Sequence, residues 1–273
     1  MPHPPLTREA FQHGTPLPLQ TACYFSNSLQ RQQPFGYLTP PEWEGNLYSE
    51  TLRYPLLILL HGVNGNYREW YEKTRVGAYL NSYKMVVVFA DGGNGWYTNG
   101  VGEEGRREDD LICDLLPFVQ STLPVLPPGK AWGIGGLSMG GYGAVKSALK
   151  HPELFSVGVS HSGSLEKSLI PEPHPVFGHP ETDFKLRRTE SPAYLAEQAL
   201  CEFPNRRPLL LLDCGSSDPF LEVNRAFQNH LQFLGYPHEY HETRGHHTWP
   251  YWDRALRRIL PTVAEYLGAE LRR

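Results

Sequence analysis

Apolar residues follow two alternating patterns along most of the chain. Unbroken apolar runs occur in RYPLLILLHG (53–62), KMVVVFAD (84–91), AWGIGGLS (131–138), FSVGVSHSG (155–163) and PLLLLDCGSSD (208–218). A run of this kind, with no polar alternation and with turn residues after it, suits a strand buried on both faces. Between the runs, apolar residues recur at helical spacing in 66–83, 108–123, 139–155, 220–236 and 252–271. Glu108, Asp109 and Asp110 fall in the first turn of the second of these, where the helix dipole favours acids. Pro261 predicts a break in the last one. Two extended segments, 21–27 and 35–41, come before the series, and HEYHETR (238–244) alternates as a half-exposed strand does.

Strands alternating with helices predict an α/β domain over 1–273, with a mostly parallel central sheet and helices on both faces. The exception is 164–207, rich in Pro, His and charge and poor in periodicity. So long an irregular stretch inside a compact domain points to a purpose. It is expected as a cap inserted over the C-terminal edge of the sheet, where α/β sites lie. The alternative is a disordered surface loop.

Composition narrows the partners. Of 273 residues, 40% are hydrophobic, enough for a substantial core, and the formal net charge is −4. Lys and Arg are scattered rather than striped, which argues against nucleic acid. No run approaches the ~18–20 apolar residues that span a bilayer, so no membrane partner is expected. A small molecule is the expected partner. The first twenty residues have neither a basic start nor an apolar core, so no secretory signal is expected. Cys23, Cys113, Cys201 and Cys214 are far apart and form no CxxC pair. They read as reduced thiols of a cytoplasmic protein. No coiled-coil or interface pattern fixes an oligomeric state.

The candidate chemistry starts at GIGGLSMGGYG (133–143), which contains G-x-S-x-G centred on Ser138. The motif requires a strand before it and a helix after it, and both are predicted. Its glycines allow a sharp turn and a close approach of strand and helix, exposing the Ser138 hydroxyl and aiming the Met139 N–H at a developing oxyanion. The same stretch nearly matches the dinucleotide fingerprint G-x-G-x-x-G. However, serine stands at its last position, and this strand comes too late in the chain. A second oxyanion donor is expected after an early strand, and the Val63 N–H in HGVNGNYREW is the candidate. Asn66 capping the next helix is compatible with that role.

A serine nucleophile needs a base and an orienting acid, which follow it in the order acid, then histidine. LLLLDCGSSD offers Asp213, near the strand end, and Asp218, in the loop beyond; Asp218 is favoured because it can reach across to an imidazole. His246 and His247 both lie on the loop after the last strand, and position alone does not choose between them. His151, His161 and His230 read as surface or structural residues. His241-Glu242 begins H-E-x-x-H, but Gly245 occupies the final position, so no metal is expected.

In this order, HGVNGNYREW, DGGNGWYTN, GLSMGGYGA, DCGSSD and GHHTWPYW resemble the esterase D-like branch of the α/β-hydrolases. That group contains tributyrin-type carboxylesterases, feruloyl esterases, S-formylglutathione hydrolases and, more distantly, mycolyltransferases. The resemblance implies Ser138 as nucleophile, Asp218 as acid and His247, at the G-x-H-x-W position, as base. It places His246 where the family more often has glycine. It implies Val63 and Met139 as oxyanion donors. His61, Asn64 and Trp249 would line the pocket, with Trp96 and Phe177 beside them. The implied activity is hydrolysis of small carboxylic esters through an acyl-enzyme, with no cofactor. Acyl transfer and thioester hydrolysis would use the same residues, as would a non-catalytic binding module on this fold. VNGNYREW lacks the cysteine that glutathione-thioester hydrolases carry near this point.

Overall fold

A computed structural model describes residues 15–44, 52–102 and 105–272. The chain opens with a hairpin, β1 (Gln20–Ser26) and β2 (Arg31–Leu38), then the short α1 (Pro41–Glu44) and β3 (Leu56–Leu60). Next come α2 (Glu69–Lys73), α3 (Val76–Leu80), β4 (Val86–Ala90) and α4 (Arg107–Asp109). A π-helical turn over Asp110–Leu115 joins α4 to α5 (Leu116–Thr122). The core of the fold follows as β5 (Gly129–Leu137), α6 (Met139–Lys150) and β6 (Phe155–His161). After α7 (Phe184–Thr189) and α8 (Pro192–Glu202) come β7 (Leu209–Gly215), α9 (Leu221–Leu234), β8 (His238–Thr243) and α10 (Trp249–Leu267).

The eight strands form one sheet in the order β1-β2-β4-β3-β5-β6-β7-β8. From β4 to β8 all neighbours are parallel, and the β1–β2 hairpin joins antiparallel at the β4 side. This is the expected α/β-hydrolase architecture. The unbroken apolar runs are its central strands: every residue of β3 and β4 is buried. One sheet face packs against residues of α5, α6, α8 and α9, and the other against residues of α2, α3 and α10. The chain goes outward from β3 to β4 and then back across β3 to β5. Strand order therefore reverses between β3 and β5, and a crevice opens there at their C-terminal ends.

Two sequence expectations change in detail. The helix at 252–271 is not broken: α10 runs from Trp249 to Leu267 with Pro261 inside it. Tyr251, Trp252, Ala255, Leu256, Ile259, Leu260, Val263, Ala264 and Leu267 form a buried stripe on both sides of the proline. Burial of that stripe outweighs the ~3 kcal/mol that an interior proline costs. The segment 164–207 is irregular only in its first half, apart from a 3₁₀ turn at Lys167–Leu169. Its second half folds into α7 and α8, and α8 lies on α6 and α9 as the crossover helix between β6 and β7.

A buried charge cluster ties these layers together. Lys146 on α6 is wholly buried, and its Nζ lies 2.7 Å from both Glu108 Oε2 and Glu190 Oε2. It also donates to the Tyr97 carbonyl (2.6 Å) and to Thr98 Oγ1 (3.0 Å). Lys150, one turn later, bonds the same two carboxylates. Burial pushes the Glu108 carboxyl up, but the two lysines and His151 outweigh it and hold the group well below the usual range. Glu190 lies between α7 and α8, so the cluster fastens the insertion to α6. Lys146→Met leaves two buried carboxylates short of their main partner and should cost about 3–5 kcal/mol, measured by urea unfolding. A loss below about 1 kcal/mol would mean that the cluster relaxes into solvent.

Candidate active site

Ser138 stands between the end of β5 and the start of α6 with φ 53° and ψ −116°. That backbone is strained for a residue with a side chain. Its surroundings hold it there: Ser138 N–H donates to the His161 carbonyl (3.0 Å), and its own carbonyl accepts from Tyr142 N–H (3.0 Å) and Ser164 N–H (3.3 Å). The two motif glycines are required by space. A β-carbon on Gly136 would run into the Gly140 backbone, and one on Gly140 into the Leu60 and His61 carbonyls at the end of β3. The turn therefore places the Ser138 hydroxyl at the crevice between β3 and β5.

His247 and Asp218 meet it from the loops after β8 and β7. His247 Nε2 lies 3.0 Å from Ser138 Oγ, and its Nδ1 lies 3.0 and 3.1 Å from the two Asp218 oxygens. Asp218 is 5% exposed. Burial pushes its carboxyl up, but hydrogen bonds from His247, the Phe220 N–H and Ser162 prevail and hold it below the ordinary value. An ionised Asp218 accepts a hydrogen bond from Nδ1–H, which leaves Nε2 free to accept from the serine hydroxyl. Phe220 and Trp252 pack edge-to-face on the imidazole, with ring centroids at 5.1 and 4.9 Å, and fix its plane.

The other acid and the other histidine of the loop stand apart. Asp213 is buried under the site, where Oδ2 pairs with His161 Nδ1 (2.6 Å) and Oδ1 accepts from Tyr251 (2.9 Å). His246 is exposed. His161 is a buried structural residue, although its Nε2 meets no hydrogen-bond partner among the described residues. No group of three or more His, Cys, Asp or Glu able to hold a metal lies among the described residues.

Val63 follows β3 on the other side of the crevice and is 45% exposed, whereas Met139 is the fully buried first residue of α6. The first N–H groups of a helix have no intrahelical partner, so the Met139 N–H is available. Two of the residues expected to line the pocket are buried. His61 is 1% exposed; its Nε2 accepts from Gly92 N–H (2.9 Å), and its Nδ1 therefore donates to the Gly62 carbonyl (2.7 Å). Both ring nitrogens serve the backbone, and burial lowers the ring's affinity for a further proton. Phe177 is fully buried among Trp96, Tyr142 and His174 rather than facing an open cleft. Trp96 is 7% exposed in the same cluster, which packs on the first turn of α6 through Tyr142. Trp249 is half-buried against Trp70 and Trp252. Asn64 is exposed, with its amide bound to Asn94.

Trp252, Phe220 and Ser162, which contact His247 and Asp218, were not among the residues the sequence singled out. Trp252 falls inside an ordinary amphipathic stripe, and Ser162 in a strand end, so neither gives a distinguishing signal. Asn94 sits in DGGNGWYTN, where the motif was visible but not the task of this residue.

The chain is similar to known proteins. A family model described as putative esterase matches residues 26–263. An acetyl esterase of Caldicellulosiruptor saccharolyticus is 27% identical over 79% of this chain and 84% of its own. The structure of a fluorophosphonate-binding serine hydrolase of Staphylococcus aureus superposes with a TM-score of 0.80 at 22% identity, over 93% of this chain and 99% of that one. A ferulic acid esterase superposes at 0.76 with 24% identity, over 93% and 100%. No helix among the described residues is long and apolar enough to cross a membrane. The match to the family model over most of the chain shows that the protein belongs to the putative esterase family, and the superpositions show that it has the α/β-hydrolase fold.

Proposed function

We propose that the chain hydrolyses small carboxylic esters, with short acyl or aryl groups, through Ser138, His247 and Asp218. The observation that carries this is the unbroken hydrogen-bond line from Ser138 Oγ through the imidazole to Asp218, with links of 3.0 Å, on a strained turn. Ser138 Oγ attacks the ester carbonyl carbon while His247 Nε2 takes its proton. The carbonyl π pair moves to oxygen and forms a tetrahedral oxyanion. Asp218 holds the Nδ1–H tautomer and stabilises the imidazolium. The Val63 and Met139 N–H groups receive the oxyanion, each contributing about 3 kcal/mol in the transition state. Collapse breaks the C–O bond to the alcohol, which leaves with the proton from His247. Water, deprotonated by the same nitrogen, attacks the acyl-serine, and the acid leaves as Ser138 regains its proton.

The similarity to an acetyl esterase and the superposition of a ferulic acid esterase support a short acyl group or an aryl one. Cys23, Cys113 and Cys201 are exposed and free, and Cys214 is buried and free, which supports a reducing, cytoplasmic setting.

Ser138→Ala should lower kcat by about 10⁶ and abolish labelling by a fluorophosphonate. Labelling retained at the wild-type rate would remove Ser138 from the mechanism. A depressed carboxyl pKa keeps Asp218 ionised until the pH falls through its folded value, which lies below ~3.9. The acid limb of kcat/KM should therefore be a single imidazole step, and a second step from a carboxylate above about pH 4 would contradict it. Asp218→Asn, which favours the wrong tautomer, should cost about 10⁴ in kcat. Among p-nitrophenyl esters from acetate to decanoate, run beside methyl ferulate, kcat/KM should be highest for short chains and fall by about tenfold or more at decanoate. A maximum at decanoate would refute the short-acyl reading.

A further inference from the structure

We infer that Asn94 is a positioning residue, the clamp that holds the Val63 N–H where the oxyanion forms. The inference rests on the assignment of Ser138 and Val63 made above. The segment that carries Val63 runs past the nucleophile: a β-carbon on Gly62 would stand 3.6 Å from the Ser138 β-carbon. Yet Val63 and Asn64 are exposed, so apolar packing does not hold them. What holds them is the loop after β4.

That loop grips both ends of the segment. Upstream of Val63, Gly92 N–H donates to His61 Nε2 (2.9 Å) and the Tyr97 hydroxyl donates to the His61 carbonyl (3.2 Å). Downstream, Asn94 Oδ1 accepts from Asn64 N–H (2.7 Å), and Asn94 Nδ2 donates to Asn64 Oδ1 (3.0 Å). A backbone N–H can only donate, so the amide orientation of Asn94 is fixed by its partner. One planar group with an acceptor and a donor side by side satisfies both contacts. An aspartate would keep the first and set a carboxylate oxygen against Asn64 Oδ1 in the second.

Backbone strain gathers at the same place. Asn64 (φ 60°), Trp96 (φ 55°) and Tyr97 (φ 51°) are all left-handed, although none is glycine. Such conformations persist where surrounding contacts over-determine them, and they concentrate at sites whose geometry has to be held. The Asn64 backbone is the member of this group adjacent to Val63, and its N–H is bound by Asn94. That bond fixes the Val63–Asn64 peptide and with it the Val63 α-carbon, from which the preceding Gly62–Val63 peptide, the one that carries the Val63 N–H, is hung.

The test compares Asn94→Ala and Asn94→Asp with wild type on p-nitrophenyl butyrate, with inhibition by an aryl trifluoromethyl ketone, which adds to a serine nucleophile as a tetrahedral oxyanion. Asn94→Ala should lower kcat by about 10- to 30-fold, leave KM within about threefold, and raise the ketone Ki by the same factor as kcat falls. The midpoint of the acid limb should stay unchanged, because His247 and Asp218 are untouched. Asn94→Asp should fall between Asn94→Ala and wild type. A kcat within twofold of wild type in both variants, or a fall in kcat with the ketone Ki unmoved, would overturn the proposal. If Asn94→Ala does not fold, the same comparison is made on Asn94→Asp alone. Failure of the underlying assignment looks different: wild type would resist fluorophosphonate, or Ser138→Ala would remain active.

Discussion

Everything at the site depends on how closely β5, α6 and the end of β3 approach one another. With hydrogen in place of a β-carbon at Gly136 and Gly140, the first turn of α6 sits directly on the β5 and β3 backbones. That contact forces the chain through a left-handed conformation at Ser138, the one residue between strand and helix. The strain is carried by hydrogen bonds to the His161 carbonyl and from Tyr142 and Ser164. The same approach places the β3 loop beside the serine, so Ser138, Met139 and Val63 are brought together by one packing constraint.

Two histidine–aspartate pairs lie within this small region, and their environments give them different tasks. His247 is partly exposed and reaches the serine, whereas Asp218 behind it is buried and held ionised. His161 and Asp213 are both buried; Tyr251 closes the second carboxylate oxygen, and the His161 main chain braces Ser138. One pair has a free nitrogen beside a hydroxyl and can move a proton. The other joins β6 to β7 beneath it. The choice of Asp218 over Asp213 thus follows from where β7 ends: Asp213 is still within the strand, and Asp218 is past it.

Much of this was legible in the sequence because the signals were backbone signals. Unbroken apolar runs such as 56–60 and 86–90 read as buried strands because no other element tolerates them so readily. G-x-S-x-G named the elbow because only glycine fits at Gly136 and Gly140. The choice of His247 over His246 needed the family pattern, since both lie on one loop. Other features were hidden because they are set by packing between distant segments. Pro261 inside α10 is decided by the buried stripe around it, not by the local propensity that predicted a break. The burial of His61 and Phe177 was equally hidden, because burial depth is not encoded in a local pattern. Trp252 turns toward His247 only because α10 starts where it does.

The charge cluster around Lys146 also fixes the insertion to the helix that starts at Ser138. Glu190 belongs to the insertion between β6 and β7, and its bonds to Lys146 and Lys150 run to the helix that begins at the nucleophile. Swinging the insertion away would strip a wholly buried ammonium of a carboxylate partner, a far larger cost than a hinged loop with polar, solvated contacts has to meet. The insertion is therefore riveted to α6, and the two part only at the cost of that buried charge.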